Sequence, residues 1–280
     1  MRTRVKLFSI FLTLMLMAGY IQFKYDSHTN YVADKNVFVT LPSGSTLKVL
    51  SFGFHDLVAD MLFIWSIQFY GTYNLTNRYD YLEHIYNTIT DLAPQYLEPY
   101  IVGSWIMALE AKDIEMAIRL LQKGSRNMKN EWIFDYECAY YVYKYLKDYE
   151  RAEKYYKRAA ERPNAPSMVK RKQAHMVYMK DDLTQAYAMW KEIYGNAKTR
   201  MERDAAFCHL YQIKFDWDKK LLEDKLDQYK ARYGRYPMDL SQLVRAGLLR
   251  EIPKDFSGFE YTYNPKIGKI TADRVFQWKK

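Results

Sequence analysis

The sequence contains few of the residues that interrupt regular structure, with 11 glycines and 8 prolines in 280 residues. An all-β fold needs a turn about every 8–12 residues, and such turns rely on glycine and proline. The scarcity of both therefore disfavours an all-β fold and favours long helices. Aromatic residues are abundant instead, at 17% with 27 tyrosines, and large side chains of this kind can interlock between helices.

The sequence also lacks the motifs of common catalytic and metal sites. It has no glycine-rich phosphate loop, H-E-x-x-H helix, Cys-x-x-Cys pair or Gly-x-Ser-x-Gly elbow. His55, Asp56 and Asp60 lie close together, but His55 and Asp60 do not share a helix face, so we expect a core histidine rather than a metal ligand. We predict no catalytic residue, metal or cofactor. An enzyme stays as a third interpretation that would need scattered residues such as these.

The net charge of +9 does not identify a nucleic-acid binder. Basic residues alternate with acidic ones, as in residues 150–154 (ERAEK), which is typical of a solvated helix face. No zinc-finger or RNA-binding signature accompanies the charge. We therefore predict no nucleic-acid partner.

Three basic residues precede an apolar run at residues 7–23. The run lies near the short end of what spans a bilayer as a helix. A cleaved signal peptide and an uncleaved anchor both stay open, but Met17-Ala18-Gly19 is a weak cleavage pattern, which favours an anchor. The basic head places the N-terminus in the cytoplasm. We predict a signal anchor at residues 1–24 and a tether at residues 25–45.

A unit with a nearly fixed period follows the tether. Its clearest copy, residues 146–163, has a turn, a helix with a small residue, an aromatic residue four positions later, a second small residue and a closing proline. This pattern resembles the second half of a tetratricopeptide repeat (TPR), whose period is about 34 residues. The first small position, the repeat anchor, recurs at intervals of 35, 35 and 34 residues: Leu82, Ala117, Ala152 and Ala186.

The resemblance implies an all-α solenoid of about 3–4 helical hairpins over residues 46–233, because a single hairpin cannot bury its apolar side. We expect the first helix at about Leu47–Tyr73. A helical pair, Thr199–Phe215 and Asp218–Tyr233, would end the stack.

The chain departs from the family in the first helices of two units. Trp105 and Tyr140 stand where the family prefers a small residue, so helix contacts there should be wider or shifted in register. Cys138 and Cys208 fall about two repeats apart, which is too far for a disulfide.

In TPR proteins the first helices line a concave groove that binds partner segments. A groove rich in tyrosine, lysine and arginine suits a segment with carboxylates and some apolar side chains. A tyrosine at helical spacing is also common in a core, and exposure is expected most for Lys144 and Arg171. The resemblance implies these groove residues: Val102, Ile106, Leu109, Phe134, Glu137, Tyr141, Lys144, Arg171, His175 and Tyr178.

The sequence changes in character at residues 234–280. We predict a short helix at Asp239–Leu249 and a β-hairpin turning at residues 264–268, with Tyr261 and Tyr263 on one face. The segment is similar to the C-terminal part of the major pseudopilins of type II secretion systems. The matching residues are Tyr229, Gly234, Tyr236, Pro237, Leu240, Leu243, Pro253, Asp255, Gly258, Tyr261 and Tyr263.

The similarity is not complete. The loop Asp255–Gly258 departs from the family's Asp-Pro-Trp-Gly, so calcium binding is not carried over. The pilin processing site is absent, so the chain is not itself expected to be a pilin subunit.

Together these features predict a TPR scaffold anchored by a single pass in a bacterial inner membrane, with most of the chain in the periplasm. Its expected partners are proteins of a cell-envelope assembly related to pili or secretion. The alternative is a generic TPR interaction module unrelated to pili, in which the C-terminal piece only caps the solenoid.

Overall fold

A computed structural model describes residues 13–21, 24, 39–73 and 75–272. This part of the chain is mainly helical and contains one two-stranded sheet, which confirms the predicted all-α class. Most of the predicted anchor and tether lies outside the described residues. Residues 13–21 are helical and their apolar side chains are exposed. None of the helices that the structure describes is both long and apolar enough to span a membrane.

The chain divides into two compact units, residues 1–103 and 104–280. Besides residues 13–21, the described helices of the first unit are α1 (Gly44–Leu50), α2 (His55–Tyr70), α3 (Leu82–Leu92) and the start of α4 (Leu97–Trp105). Both α1 and α2 pack on α3. The core of this unit includes Phe63 of α2 and Ile85, Tyr86 and Ile89 of α3.

The first predicted helix, Leu47–Tyr73, is interrupted. It forms as α1 and α2, separated by residues 51–54. Phe52 has a φ of 47° and Gly53 a φ of 92°, and neither value is compatible with an α-helix. A sequence pattern that follows apolar periodicity does not detect this turn, because apolar residues continue through it.

The second unit continues α4 as a π-helical turn, Ile106–Glu110. Consecutive helices then pack against one another along the chain. They are α5 (Ile114–Asn127), α6 (Ile133–Tyr141) with a π-helical turn at Val142–Leu146, α7 (Tyr149–Glu161), α8 (Ser167–Met179), α9 (Leu183–Gly195) and α10 (Arg200–Tyr233).

The turns before α5, α7 and α9 share one construction. Each helix begins after an aspartate, Asp113, Asp148 or Asp182, whose side chain accepts a hydrogen bond from the backbone N–H three residues later. The residue before each aspartate has a positive φ of 56–65°. The same local chemistry thus starts three helices at equivalent places in the sequence repeat.

The four predicted repeat anchors are all buried. The bulky residue four positions after each anchor is buried as well, on the same helix face. These residues are Tyr86, Leu121, Tyr156 and Trp190.

The π-helical turns account for the uneven spacing of the anchors. One lies in each 35-residue interval, at Ile106–Glu110 and at Val142–Leu146. The 34-residue interval, residues 152–186, is described throughout and its helices contain only α-helical turns. Because a π turn holds one more residue than an α turn, each absorbs the extra residue without changing the helices on either side.

The predicted helical pair at residues 199–233 is instead one helix, α10, of 34 residues. No glycine or proline lies between Phe215 and Asp218, so nothing in the backbone breaks the helix there. It ends at Gly234, which has a φ of 74°.

The C-terminal segment forms a short helix, α11 (Ser241–Arg245), and the predicted hairpin, β1 (Thr262–Asn264) paired antiparallel with β2 (Lys269–Thr271). The helix is shorter than predicted. Tyr261 and Tyr263 both face one apolar cluster, as predicted. The cluster's buried members come from this segment and from α10: Leu240, Leu243, Tyr261, Ile270, Phe215, Leu222 and Leu226.

Candidate protein-binding surface

The predicted groove residues of α4 and α6 are only partly accessible. Leu109 is 52% exposed and Lys144 is exposed, whereas Val102 and Glu137 are half-buried. Ile106, Phe134 and Tyr141 are buried. The structure thus places these last three in the core and not on an open groove.

Contacts explain why Phe134 and Tyr141 point inward. A Cβ built on Gly124 would lie 2.7 Å from the ring of Phe134, so α5 approaches α6 closely at this ring. The hydroxyl of Tyr141 lies 3.4 Å from Oγ of Ser104, in the buried contact between α4 and α6. A partner could not reach these side chains without opening the core.

The predicted groove residues of α8 contact α10. The guanidinium of Arg171 lies 3.7 Å from the carboxylate of Glu202. The hydroxyl of Tyr178 donates to Asp216 at 2.6 Å, and the ring of His175 lies 5.8 Å from that of His209. These three residues join two helices of the protein, so they are not available as a free surface.

Two residues that were not among the predicted groove residues occupy the surface. Trp105 is 47% exposed and Tyr140 is 37% exposed. Each directly precedes a residue predicted to line the groove, Ile106 or Tyr141, that is buried instead. The sequence did contain a signal, because these two large residues stand where the family prefers a small one. A bulky side chain that cannot fit between the helices is directed to solvent.

Five side chains at helical spacings of three and four along α4, α6 and the adjoining π turns, all exposed except one, form a surface that we call the aromatic face. Trp105 connects its two sides, because the indole N–H hydrogen-bonds to the carboxylate of Glu137. The aromatic face comprises Trp105, Leu109, Glu137, Tyr140 and Lys144.

Glu137 is the half-buried charge of the aromatic face. Burial raises the pKa of its carboxyl group, and the hydrogen bond from Trp105 offsets this only in part. Across the described chain, no lysine, arginine or histidine forms an ion pair with it. The surface therefore offers a carboxylate that favours a cationic or hydrogen-donating partner group, beside apolar rings and the ammonium of Lys144.

The other candidate residues of the sequence have structural partners. The ring of His55 lies 2.5 Å from Oγ of Ser51, and Asp60 hydrogen-bonds to Tyr96. No cluster of three or more His, Cys, Asp or Glu side chains suited to a metal occurs within the described ranges. Cys138 is buried and Cys208 half-buried, and neither forms a disulfide.

The loop at Asp255 is closed by its own hydrogen bonds. One oxygen of Asp255 accepts from the backbone N–H groups of Ser257 and Phe259 at 2.8 Å, and the other accepts from the hydroxyl of Tyr211 at 2.7 Å. Burial raises the pKa of this carboxyl, but these hydrogen bonds outweigh it, so the pKa is lowered. The carboxylate thus fastens the C-terminal segment to α10.

Comparison with known proteins returned no match, either to a protein-family model or to a curated protein sequence.

Proposed function

We propose that the protein is a membrane-anchored scaffold of the TPR type, which binds segments of partner proteins on the aromatic face. Three features support a TPR-like solenoid: the anchor spacing, the repeated aspartate turns and the packing of consecutive helices. Stacked hairpins of this kind present an extended surface made of successive first helices. The proposed role is binding, not catalysis.

The observation that carries the proposal is the exposure of Trp105 and Tyr140 beside Glu137. Tryptophan and tyrosine are enriched at the centres of protein interfaces, because they combine a large apolar area with a polar group. Here Trp105 hydrogen-bonds to the half-buried carboxylate of Glu137, and Tyr140 lies three residues after Glu137 on the same helix. A partner segment that places an apolar side chain against the rings and a lysine or arginine near Glu137 would complete the site.

The proposed partners are proteins of a bacterial cell-envelope assembly related to pili or secretion, met on the periplasmic side of the inner membrane. Two sequence features support this placement: the apolar run at residues 7–23 with its basic head, and the similarity of residues 234–280 to major pseudopilins. In this proposal the anchor holds the scaffold at the membrane, and the aromatic face binds a partner protein.

A second candidate is a generic TPR module unrelated to pili, whose C-terminal segment only caps the solenoid. A specific observation favours capping. The apolar cluster of the C-terminal segment includes Phe215, Leu222 and Leu226 of α10, so the segment covers residues of the helical domain that would otherwise face water.

Affinity purification from gently solubilised membranes tests the proposal. A tagged full-length chain is compared with a Trp105→Ala, Tyr140→Ala double variant, and bound proteins are identified by mass spectrometry. Trp217→Ala is the matched control, because Trp217 is 45% exposed on α10. We expect an envelope assembly protein to be lost from the double variant and kept by the control. Equal recovery with all three chains would reject the aromatic face as the binding site.

A further inference from the structure

The turn between α1 and α2 exposes two phenylalanines. Phe52 is 87% exposed and Phe54 is 67% exposed. Phe52 also has a positive φ of 47°, which is unusual for a bulky residue and strained. No packing contact accounts for this conformation, since the ring is turned into solvent. The turn therefore holds the ring of Phe52 in solvent, and its strained backbone lowers the stability of the protein.

Helix α2 extends this exposed apolar surface. Leu57, Met61 and Ile64 follow one another at spacings of four and three, so they lie on one side of the helix, and all three are exposed. The opposite side of α2 is buried through Ala59, Phe63 and Phe69. Helix α2 is thus apolar on two sides, only one of which the first unit covers.

We call the surface formed by Phe52, Phe54, Leu57, Met61 and Ile64 the apolar edge. Single exposed apolar residues are common on proteins, but a continuous group of five large ones is typical of an interaction site. These five side chains carry no hydrogen-bond donor or charged group, and the exposed carboxylates of Asp56 and Asp60 border them on α2. A protein interface usually makes about one hydrogen bond per 100–200 Å², whereas the interior of a lipid monolayer requires none.

We propose that the apolar edge inserts into the surface of the lipid bilayer. This inference rests on the proposed function, which places residues 7–23 in the same membrane. Some 20 residues, from position 24 to position 43, connect that segment to α1. A chain of this length reaches at most roughly 70 Å, so α1 begins within that distance of the membrane. Exposed phenylalanine and leucine are the residues by which peripheral helices enter the interface.

Fluorescence quenching by lipids tests the proposal on the full-length chain in vesicles of phosphatidylethanolamine and phosphatidylglycerol. Cys208→Ser removes the accessible native thiol, since Cys138 is buried. An environment-sensitive fluorophore is then attached at Phe52→Cys or, as a second position, Met61→Cys. We expect either probe to lose at least about half of its emission when the lipids carry a nitroxide near the headgroup.

Two further positions make the outcomes distinguishable. Met238→Cys is the control, because Met238 is exposed in the second unit. Leu14→Cys reports on the proposed anchor, and its quencher is a nitroxide on the lipid acyl chain, because position 14 lies near the middle of residues 7–23 and so near the bilayer centre. Quenching at position 14 with none at positions 52 and 61 would overturn the apolar edge and leave the anchor standing. Blue-shifted but unquenched probes at positions 52 and 61 would also overturn it, because protein would then cover the surface. An unquenched probe at position 14 would reject the anchor itself.

Discussion

Arg162 binds Asp135 through two nitrogen atoms, with Nε at 3.3 Å and Nη2 at 3.0 Å from Oδ2. Asp135 lies on α6 and is only 1% exposed, and its other oxygen accepts from Nη2 of Arg158 at 2.8 Å. Ser125 of α5 donates to Asp135 and accepts from Arg162. One buried carboxylate thus connects α5, α6 and the end of α7.

Replacing Asp135 by alanine should destabilise the protein by about 3 kcal/mol, because Arg162, whose side chain is only 22% exposed, would lose the carboxylate that compensates its desolvation. Glu115→Ala is the matched control, since Glu115 pairs with Arg151 at 2.6 Å but is half exposed. The control should lose less than about 1 kcal/mol. Urea unfolding followed by circular dichroism measures both values. Similar losses in the two variants would contradict the structural role of the Asp135 network.

Deleting a single residue from a π-helical turn should be tolerated. Removal of Tyr145, which is exposed within Val142–Leu146, would convert the π turn to an α turn and preserve the registers of the flanking helices. Removal of Gln173 from the regular helix α8 would rotate every following position by about 100° and displace the buried residues Ala174, Met176 and Val177. We expect near-native melting for the first deletion and loss of folding for the second. Equal loss of melting temperature in the two deletion variants would show that the π turn does not accommodate one inserted residue.

Stability should fall as the pH drops below about 6.5, because two histidines are buried in their neutral form. Burial, helped by the charge of Lys172, lowers the pKa of His175 to about 4. Burial and the neighbouring His175 lower the pKa of His209 to about 3. The unfolded chain therefore takes up protons that the folded chain does not, at about 1.4 kcal/mol per pH unit for each ring.

Replacement of His209 distinguishes its contribution to the loss of stability at low pH from that of other titrating groups. The ring of His209 stacks on Trp190 at 3.7 Å, so His209→Phe removes the titration and retains an aromatic contact. Thermal melting between about pH 7 and pH 5 should show a smaller loss in this variant than in the parent chain. Parallel losses would mean that His209 is not the group responsible.

Deleting residues 234–280 should lower stability, because it exposes Phe215, Leu222 and Leu226 of α10. The substitutions Phe259→Ala and Ile267→Ala affect exposed residues of the same segment and should leave stability unchanged. Purification of partners with these two variants then separates capping from docking. Capping predicts unchanged recovery, whereas docking predicts lost partners from a still-folded protein.

Three helices of the second unit, α5, α7 and α9, could be predicted because their signals are local, whereas the pair predicted at residues 199–233 is one helix. A small residue, a bulky residue four positions later and an aspartate at the helix start recur in the sequence, and these fix where α5, α7 and α9 begin. The hairpin at residues 264–268 is likewise set by its own turn residues. Such patterns depend on a few neighbouring residues, so they can be recognised without the tertiary structure.

The surface could not be predicted in the same way, because whether a helical side chain faces the core or solvent depends on the neighbouring helices and not on its own sequence position alone. Transfer of the family's groove positions assigned Ile106 and Tyr141 to the surface, yet Trp105 and Tyr140 are exposed instead. Phe52 illustrates a second limit. Its positive φ interrupts an apolar sequence that is otherwise compatible with one helix.

The most direct test of the binding proposal is photo-crosslinking in living cells from position 140. A photoreactive amino acid at Tyr140 should capture one envelope protein in good yield, and Trp105→Ala in the same chain should abolish the capture. The same amino acid at Trp217 should not capture that protein. Capture from position 217 with none from position 140, or capture that Trp105→Ala does not affect, would contradict a partner-binding role for the aromatic face.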